Sequence, residues 1–395
     1  MVYRALYSNH PSAPQRLLLF LKGSRLRIYF FIKCALISST GVPAQLDLTV
    51  STYQVNMLPD YRIKNVALLS YCCDTGVGIA GIDFYSHLPF ARWIVVPHRT
   101  FGITARRLDS KCYVLDRNPE PTTLKDSLAN ITTLFCIERG YYPGLFRLAR
   151  QMGIRIVLMP NAEWFDPDDP EMALIDTFIA PTRVCFDMLV AQAFGNRTEY
   201  IPHPIDVDRF RFQLREKAET FLHCRGWGGY KDRKGTDIVL SAAALCPAIQ
   251  FVIRYQKPLN DDLTDNVVTY PATVEPEDQY EKGDICIQPS RWEGVGLQIL
   301  EAMACGLPTL VPNAPPMNEY QSDLSLCVTA HPCSVTIGKK QWTQWEMDPQ
   351  YLARSIKQLH NQPIGEMSKQ ARASVETRSW SALKHVYMTI LGMSP

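Results

Sequence analysis

The chain has 395 residues, 46 % of them hydrophobic and 20 % charged, an ordinary globular composition that excludes a disordered, collagen-like or small disulfide-stapled protein. At roughly 150 residues per domain it has room for about two to three domains. Forty-one Lys and Arg against 39 Asp and Glu leave a formal charge of +2, which neither supports nor excludes a nucleic-acid partner.

The first 64 residues depart from that balance, with eight basic side chains and only Asp47 and Asp60 as acids, so this segment is +6 and the remainder −4. Residues 16–37, RLLLFLKGSRLRIYFFIKCALI, mix basic and bulky apolar side chains as a peripheral membrane segment would. Gly23 and Ser24 interrupt any clean helical stripe, and an ordinary strand and helix or an upstream extension are the competing readings. No apolar run reaches the ~18–20 residues of a membrane span, and no convincing signal-cleavage site follows the basic start. A cytoplasmic protein is expected, with peripheral membrane contact through 16–37 as an open question. The twelve cysteines include the vicinal pair Cys72 and Cys73 but no CxxC spacing, so scattered core thiols are expected rather than a zinc site.

From Asn65 onward short β-rich runs alternate with helical ones, the pattern of parallel sheets covered by helices. Strands are expected at VALLSYC, 93–97, 112–116, 133–137, 154–160 and 176–181, with Leu145, Leu148, Ala149 and Met152 at helical spacing between two of them. DTGVGIAG at 74–81 reads as a glycine loop, with Gly76 facing a phosphate or an acceptor. The stretch 201–219 carries Pro202 and Pro204 and reads as a linker, with His203 structural. The alternation restarts at 221–224 and continues through helix 235–245, QFVIRY, NVVTY, 284–289, helix 296–305 and 308–312, and 348–393 looks wholly helical. Two doubly wound α/β domains place ligands beyond the carboxyl ends of their strands.

The most informative segment is PSRWEGVGLQILEAMACGLP, residues 289–308. Here a strand ends, a loop carries Glu293 and two glycines, and a helix begins near Gly296. Glycines let backbone amides approach a ligand closely, and a helix start favours an anion. Glu293 and Glu301, eight positions apart, could reach one ligand lying over that start. Ionised carboxylates accept hydroxyl hydrogen bonds, which suits sugar and ribose diols. Taken singly, either glutamate reads as an ordinary surface or helix-start acid.

This segment resembles the Glu-x7-Glu motif of the retaining GT-B glycosyltransferases of family four. YIPHPIDVDRF at 200–210 is similar to that family's linker, and RKGTDIVLSAAAL at 233–245 to its Lys-Gly helix start. The resemblance implies the GT-B fold, two Rossmann-like doubly wound domains facing across a cleft. Expected boundaries are 65–205 for an acceptor-side domain and 206–375 for a nucleotide-sugar domain, with 376–395 a helix crossing back. It implies donor-sugar contacts for Glu293, ribose contacts for Glu301, and amides of Gly294, Val295 and Gly296 facing sugar and phosphates. Lys234 would neutralise the diphosphate leaving group.

The family's usual Arg, five residues before that Lys, is Gly229 here, so Arg225 or Arg233 is the candidate second cation. RYQKP at 254–258 replaces a usual glycine-rich turn. Where many relatives carry a His after the fifth strand, this chain has MPNAEWF, with Asn161 and Glu163. Asp166 and Asp168 form a DxD triplet in a proline-bounded turn, and no metal is expected. The expected reaction moves a sugar from a nucleotide diphosphate sugar, its only co-substrate, to an acceptor hydroxyl whose carrier the sequence leaves open. A non-catalytic nucleotide-sugar binder, or another GT-B sugar-nucleotide enzyme, is the alternative.

Overall fold

The computed structural model describes residues 65–394 except 260–261, 274 and 338–339, together with two short strands, β1 (Arg16–Leu17) and β2 (Ile32–Lys33), which pair antiparallel. The basic 1–64 segment, and with it the membrane-contact reading of 16–37, otherwise lies outside the described residues. No helix among those described is long and apolar enough to cross a membrane.

Residues 63–395 form one unit built on two parallel sheets. The first contains β3 (Val66–Tyr71), β4 (Arg92–Val96), β5 (Cys112–Val114), β6 (Thr133–Glu138), β7 (Arg155–Pro160), β8 (Thr177–Ala180) and β9 (Thr198–Tyr200), in the order β5-β4-β3-β6-β7-β8-β9. Successive residues of each strand feed opposite faces, so continuous apolar runs such as VALLSY are what a sheet covered on both sides needs. Ala67, Leu69 and Leu134 join one core cluster beneath α3 (Leu145–Gln151) and α4 (Arg183–Ala191). Val66, Leu68 and Phe135 join the other, shared with α1 (Gly76–His87) and α9 (Trp380–Leu391).

The second sheet contains β10 (Thr220–Gly226), β11 (Gln250–Tyr255), β12 (Val267–Pro271), β13 (Ile285–Ile287), β14 (Thr309–Pro312) and β15 (Cys327–Val328), in the order β12-β11-β10-β13-β14-β15. One face packs on α6 (Leu297–Ala304) and α8 (Gly365–Glu376), and the other on α5 (Thr236–Ala244) and α7 (Pro349–Leu359).

One expected element differs, and one went unassigned in the sequence. The glycine loop at 74–81 is mostly helix: Thr75 caps α1 by accepting from the Gly78 amide at 3.4 Å. Side chains at Gly78 or Gly81 would collide with Cys73 and with the Ser70–Tyr71 strand, so these glycines serve close helix–strand packing. Gly76, in open space at the helix start, alone retains access to a ligand. Between 312 and 348, where the sequence reading assigns no element, the chain forms an antiparallel hairpin, β16 (Ala330–Ile337) and β17 (Lys340–Met347). The expected helical tail is present, divided into the three helices α7, α8 and α9.

The chain crosses between the two sheets twice, and the crossings touch. The Ile205 amide donates to the Arg378 carbonyl at 2.9 Å, and Ser379 then caps α9. That helix lies in the first sheet's core: Tyr387 and Leu391 are fully buried, Trp380 meets Phe84 edge-on, and its indole donates to Asp83 at 2.9 Å. His87 stacks on Trp380 and reaches Asp206 of the linker at 3.2 Å. Among the described residues Asp83, His87 and Asp206 are the group close enough to share a cation, yet these contacts already account for them.

Candidate active site

The site follows from strand order. β10 and β13 are parallel neighbours, so the loops leaving their carboxyl ends lie side by side, one carrying Arg233 and Lys234, the other Glu293. The Arg291 amide donates to the Arg233 carbonyl at 2.8 Å and joins the two loops. Gly235 can follow only as glycine, since it has φ +69° and presses on Pro289.

Within this frame the Lys234 ammonium donates to Glu293 Oε1 at 2.6 Å and the Arg233 guanidinium to Oε2 at 2.6 Å. Glu293 is 7 % exposed. Burial pushes its carboxyl up, but the two cations outweigh burial and hold it at about 2. Burial likewise lowers Lys234, with Glu293 opposing. Eight residues on, Glu301 faces the same cleft from α6 and accepts from the buried Tyr280 hydroxyl at 2.5 Å. Burial pushes it up to about 7, against the pull of that hydrogen bond. Gly294, Val295 and Gly296 line the cleft between the two acids, and Tyr320 holds the Val295 carbonyl.

The opposite wall comes from the first sheet. Gly76, Asn161, Glu163 and His203 line it. A Cβ on Gly294 would stand 2.5 Å from Glu163 Oε2 and 3.0 Å from Asn161 Oδ1, so glycine is what lets the walls approach. Gln256, in the segment lacking the glycine-rich turn, donates to the Asp74 carbonyl at 2.7 Å across the cleft. His203 is fully buried against Phe84, and burial lowers it to about 4. Arg225 lines the cleft but spends one donor on the Lys257 carbonyl, whereas Arg233 is committed to Glu293. The structure thus brings all nine sequence-selected residues to one cleft, with Gly76 on the far wall.

Sequence reasoning missed the supports. Arg291 grips Asp237 with both terminal nitrogens at 3.0 and 2.8 Å, Glu346 of the hairpin at 2.6 Å and the Asp232 carbonyl at 2.7 Å. Tyr280, which donates to Glu301, belongs in the same group. Arg291 lies inside the 289–308 segment, but its partners Asp237 and Glu346, like Tyr280, come from segments outside it, so no spacing connects them to the motif.

Residues 227–362 match the family model described as Glycosyl transferases group 1. No curated protein matches the chain. Among solved structures, HepE of Anabaena in complex with UDP and glucose is similar at TM-score 0.63 and 14 % identity, covering 83 % of this chain and 99 % of that one. A glycosyltransferase from Rickettsia africae gives 0.61 and 12 %, covering 84 % and 98 %. Sucrose-phosphate synthase from Thermosynechococcus elongatus gives 0.58 and 14 %, covering 84 % and 100 %. At such identities the likeness establishes the fold: two parallel-sheet α/β domains in the GT-B arrangement, closed by a helical C-terminal segment.

Proposed function

We propose that this protein is a retaining glycosyltransferase that moves a sugar from a nucleotide diphosphate sugar to an acceptor hydroxyl. The observation that carries the reading is the Lys234–Glu293–Arg233 cluster beside the glycine turn into α6. Support also comes from the Glycosyl transferases group 1 match over the same residues and from the UDP and glucose held by the Anabaena structure.

Glu293, ionised far below neutral pH, is a poor proton acceptor and a good partner for donor-sugar hydroxyls. Glu301 has one oxygen on Tyr280 and the other for a ribose hydroxyl. The bond from the anomeric carbon to the phosphate oxygen breaks with its electron pair passing to the diphosphate. The acceptor oxygen attacks the same face, and its proton passes to the departing phosphate oxygen. Lys234 and Arg233 stabilise the charge that develops there, and the protein otherwise works by positioning. Those two cations supply the counter-charge, so a chelator should leave the rate unchanged. The cleft encloses about 150 Å³, well under the ~300–1,000 Å³ of small-molecule sites, so donor entry requires its walls to separate.

A thermal-shift screen of nucleotide sugars, followed by detection of the released nucleotide and of the product's anomeric configuration by NMR, tests the reading. Stabilisation by one donor class, transfer with retention, and loss of transfer in Glu293→Ala are expected. An inverted product overturns the retaining assignment, and full transfer by Glu293→Ala overturns the site.

A further inference from the structure

One dipeptide, Glu319–Tyr320, joins the two domains and the donor turn at once. After β14 the second domain makes a tight helical turn, Met317–Tyr320. From it Glu319 reaches the first domain, where its Oε2 accepts from the Arg183 amide at 2.8 Å and its Oε1 from the Val184 amide at 2.9 Å. These residues open α4, and the Thr182 side chain accepts from the third amide, that of Cys185, at 3.2 Å. A helix start leaves its leading amides without partners in the helix and favours an anion. A carboxylate of the second domain therefore completes the cap of a first-domain helix, a bond that exists only while the two domains touch.

With about three residues per revolution, consecutive side chains of such a turn point to different sides. Tyr320 accordingly faces its own domain, fully buried, and its hydroxyl donates to the Val295 carbonyl in the turn between Glu293 and α6. The Arg378 guanidinium lies over the Tyr320 ring at 4.8 Å. Arg378 belongs to the second crossing between the domains, where its carbonyl accepts from the Ile205 amide of the first. Tyr320 is thus clamped between the crossings and the donor turn.

Peptide geometry gives that clamp a consequence. In a planar trans peptide the C=O and the following N–H point in opposite directions. Holding the Val295 carbonyl on Tyr320 aims the Gly296 amide away from Tyr320, and Gly296 lines the cleft. Gly296 has φ +81°, a conformation that glycine reaches freely and does not lock by itself, so the constraint has to come from a neighbour. Tyr320 supplies it.

We propose that Glu319 is a positioning residue that couples closure of the cleft to the aim of the donor turn. Docked on α4, it fixes the Met317–Tyr320 turn and, through Tyr320, the Gly296 amide in the orientation that faces the donor. With the walls apart Glu319 leaves α4 and the turn relaxes, so the donor is held for reaction only in the closed cleft. The proposal rests on the glycosyl-transfer reading above.

Hydrogen–deuterium exchange at single amides of the full chain, comparing the wild type with Glu319→Ala and Glu319→Gln, tests the coupling without any ligand. The reporter is the Ile299 amide, which donates to the Gly296 carbonyl at 2.9 Å. Glu319→Ala should speed exchange at Arg183 and Val184 and, in the other domain, at Ile299. Glu319→Gln, which keeps one acceptor oxygen, should restore part of the protection at both places. Faster exchange at α4 with Ile299 unchanged would make Glu319 a helix cap only and overturns the proposal.

Steady-state transfer supplies the second arm. Donor enters the open cleft, where Glu319 is undocked, so in Glu319→Ala donor KM should stay within about twofold while kcat falls about tenfold or more. Tyr320→Phe should show the same pattern, and the double variant should lose no more than the worse single one, because the two residues act in series. Unchanged kcat in Glu319→Ala, or a double loss equal to the product of the single losses, overturns the coupling. If the wild type transfers no sugar, the glycosyl-transfer reading falls, and exchange at Ile299 alone decides whether Glu319 controls the turn.

Discussion

The two walls of the cleft are built on opposite electrostatic plans. On the second-domain wall both glutamates facing the cleft have fixed partners: Glu293 is held by Lys234 and Arg233, Glu301 by Tyr280. On the first-domain wall Glu163 keeps a buried carboxylate oxygen without a hydrogen-bond partner, and beyond it Glu138 is paired with Arg139 at 3.8 Å. Acids held by fixed partners are preorganised for a ligand whose charge must be stabilised at once.

The sharpest way to break this contrast is Lys234→Met. If the second wall stabilises the leaving diphosphate, kcat should fall about 10²–10³-fold, or about 3–4 kcal/mol, in steady-state assays. A loss under threefold would remove the lysine from the chemistry. Next, Tyr280→Phe deletes the hydroxyl that Glu301 accepts from. Donor KM should rise about tenfold, near 1.4 kcal/mol, with kcat little changed, because the bond serves ground and transition states alike. A fall in kcat at constant KM would place Glu301 at the reacting centre instead.

The first wall is tested through pH. Burial lifts Glu138 from its ordinary 4.5 to about 7, opposed by Arg139 and reinforced by Glu163. Between those values the folded protein holds a proton that the unfolded chain has lost, so this group withdraws stability as pH rises through the window. Glu138→Gln should therefore gain on the wild type between pH 4.5 and 7, with a slope of at most about 1.4 kcal/mol per unit in denaturant titrations. A pH-independent difference would mean that Glu138 is satisfied in solution. The smallest effect belongs to Gln256→Ala, which removes the single bond from Gln256 to Asp74 across the cleft. Easier opening should lower donor KM about two- to fivefold, matching ~0.5–1 kcal/mol, and an increase would make Gln256 a donor ligand.

Much of the second wall was legible in the chain itself. Glu293, the two glycines after it and Glu301 form one continuous strand–turn–helix, and Lys234–Gly235 is another, so local spacing carries the information. The alternating apolar runs likewise set out both sheets, because strands buried on both faces have no polar side to obscure them. The first wall was less legible. DTGVGIAG reads as a loop from its glycines, whereas packing against β3 makes two of them helix–strand contact points. The hairpin β16–β17 escaped notice because its exposed strands lack a strong apolar alternation, yet Glu346 on it braces Arg291 and through it the donor loops.

What the sequence determined by itself, then, is the set of elements and the local turn that carries Glu293, since both arise from interactions between residues close in the chain. Only the tertiary structure decided which charges meet. Lys234 and Glu293 lie 59 positions apart and bond because β10 and β13 are neighbours in the sheet. Glu138 and Asn161 adjoin because β6 and β7 are. Burial raises both Glu293 and Glu138, and only the folded chain sets Arg233 and Lys234 beside Glu293 to bring it down to about 2 while Glu138 rises to about 7.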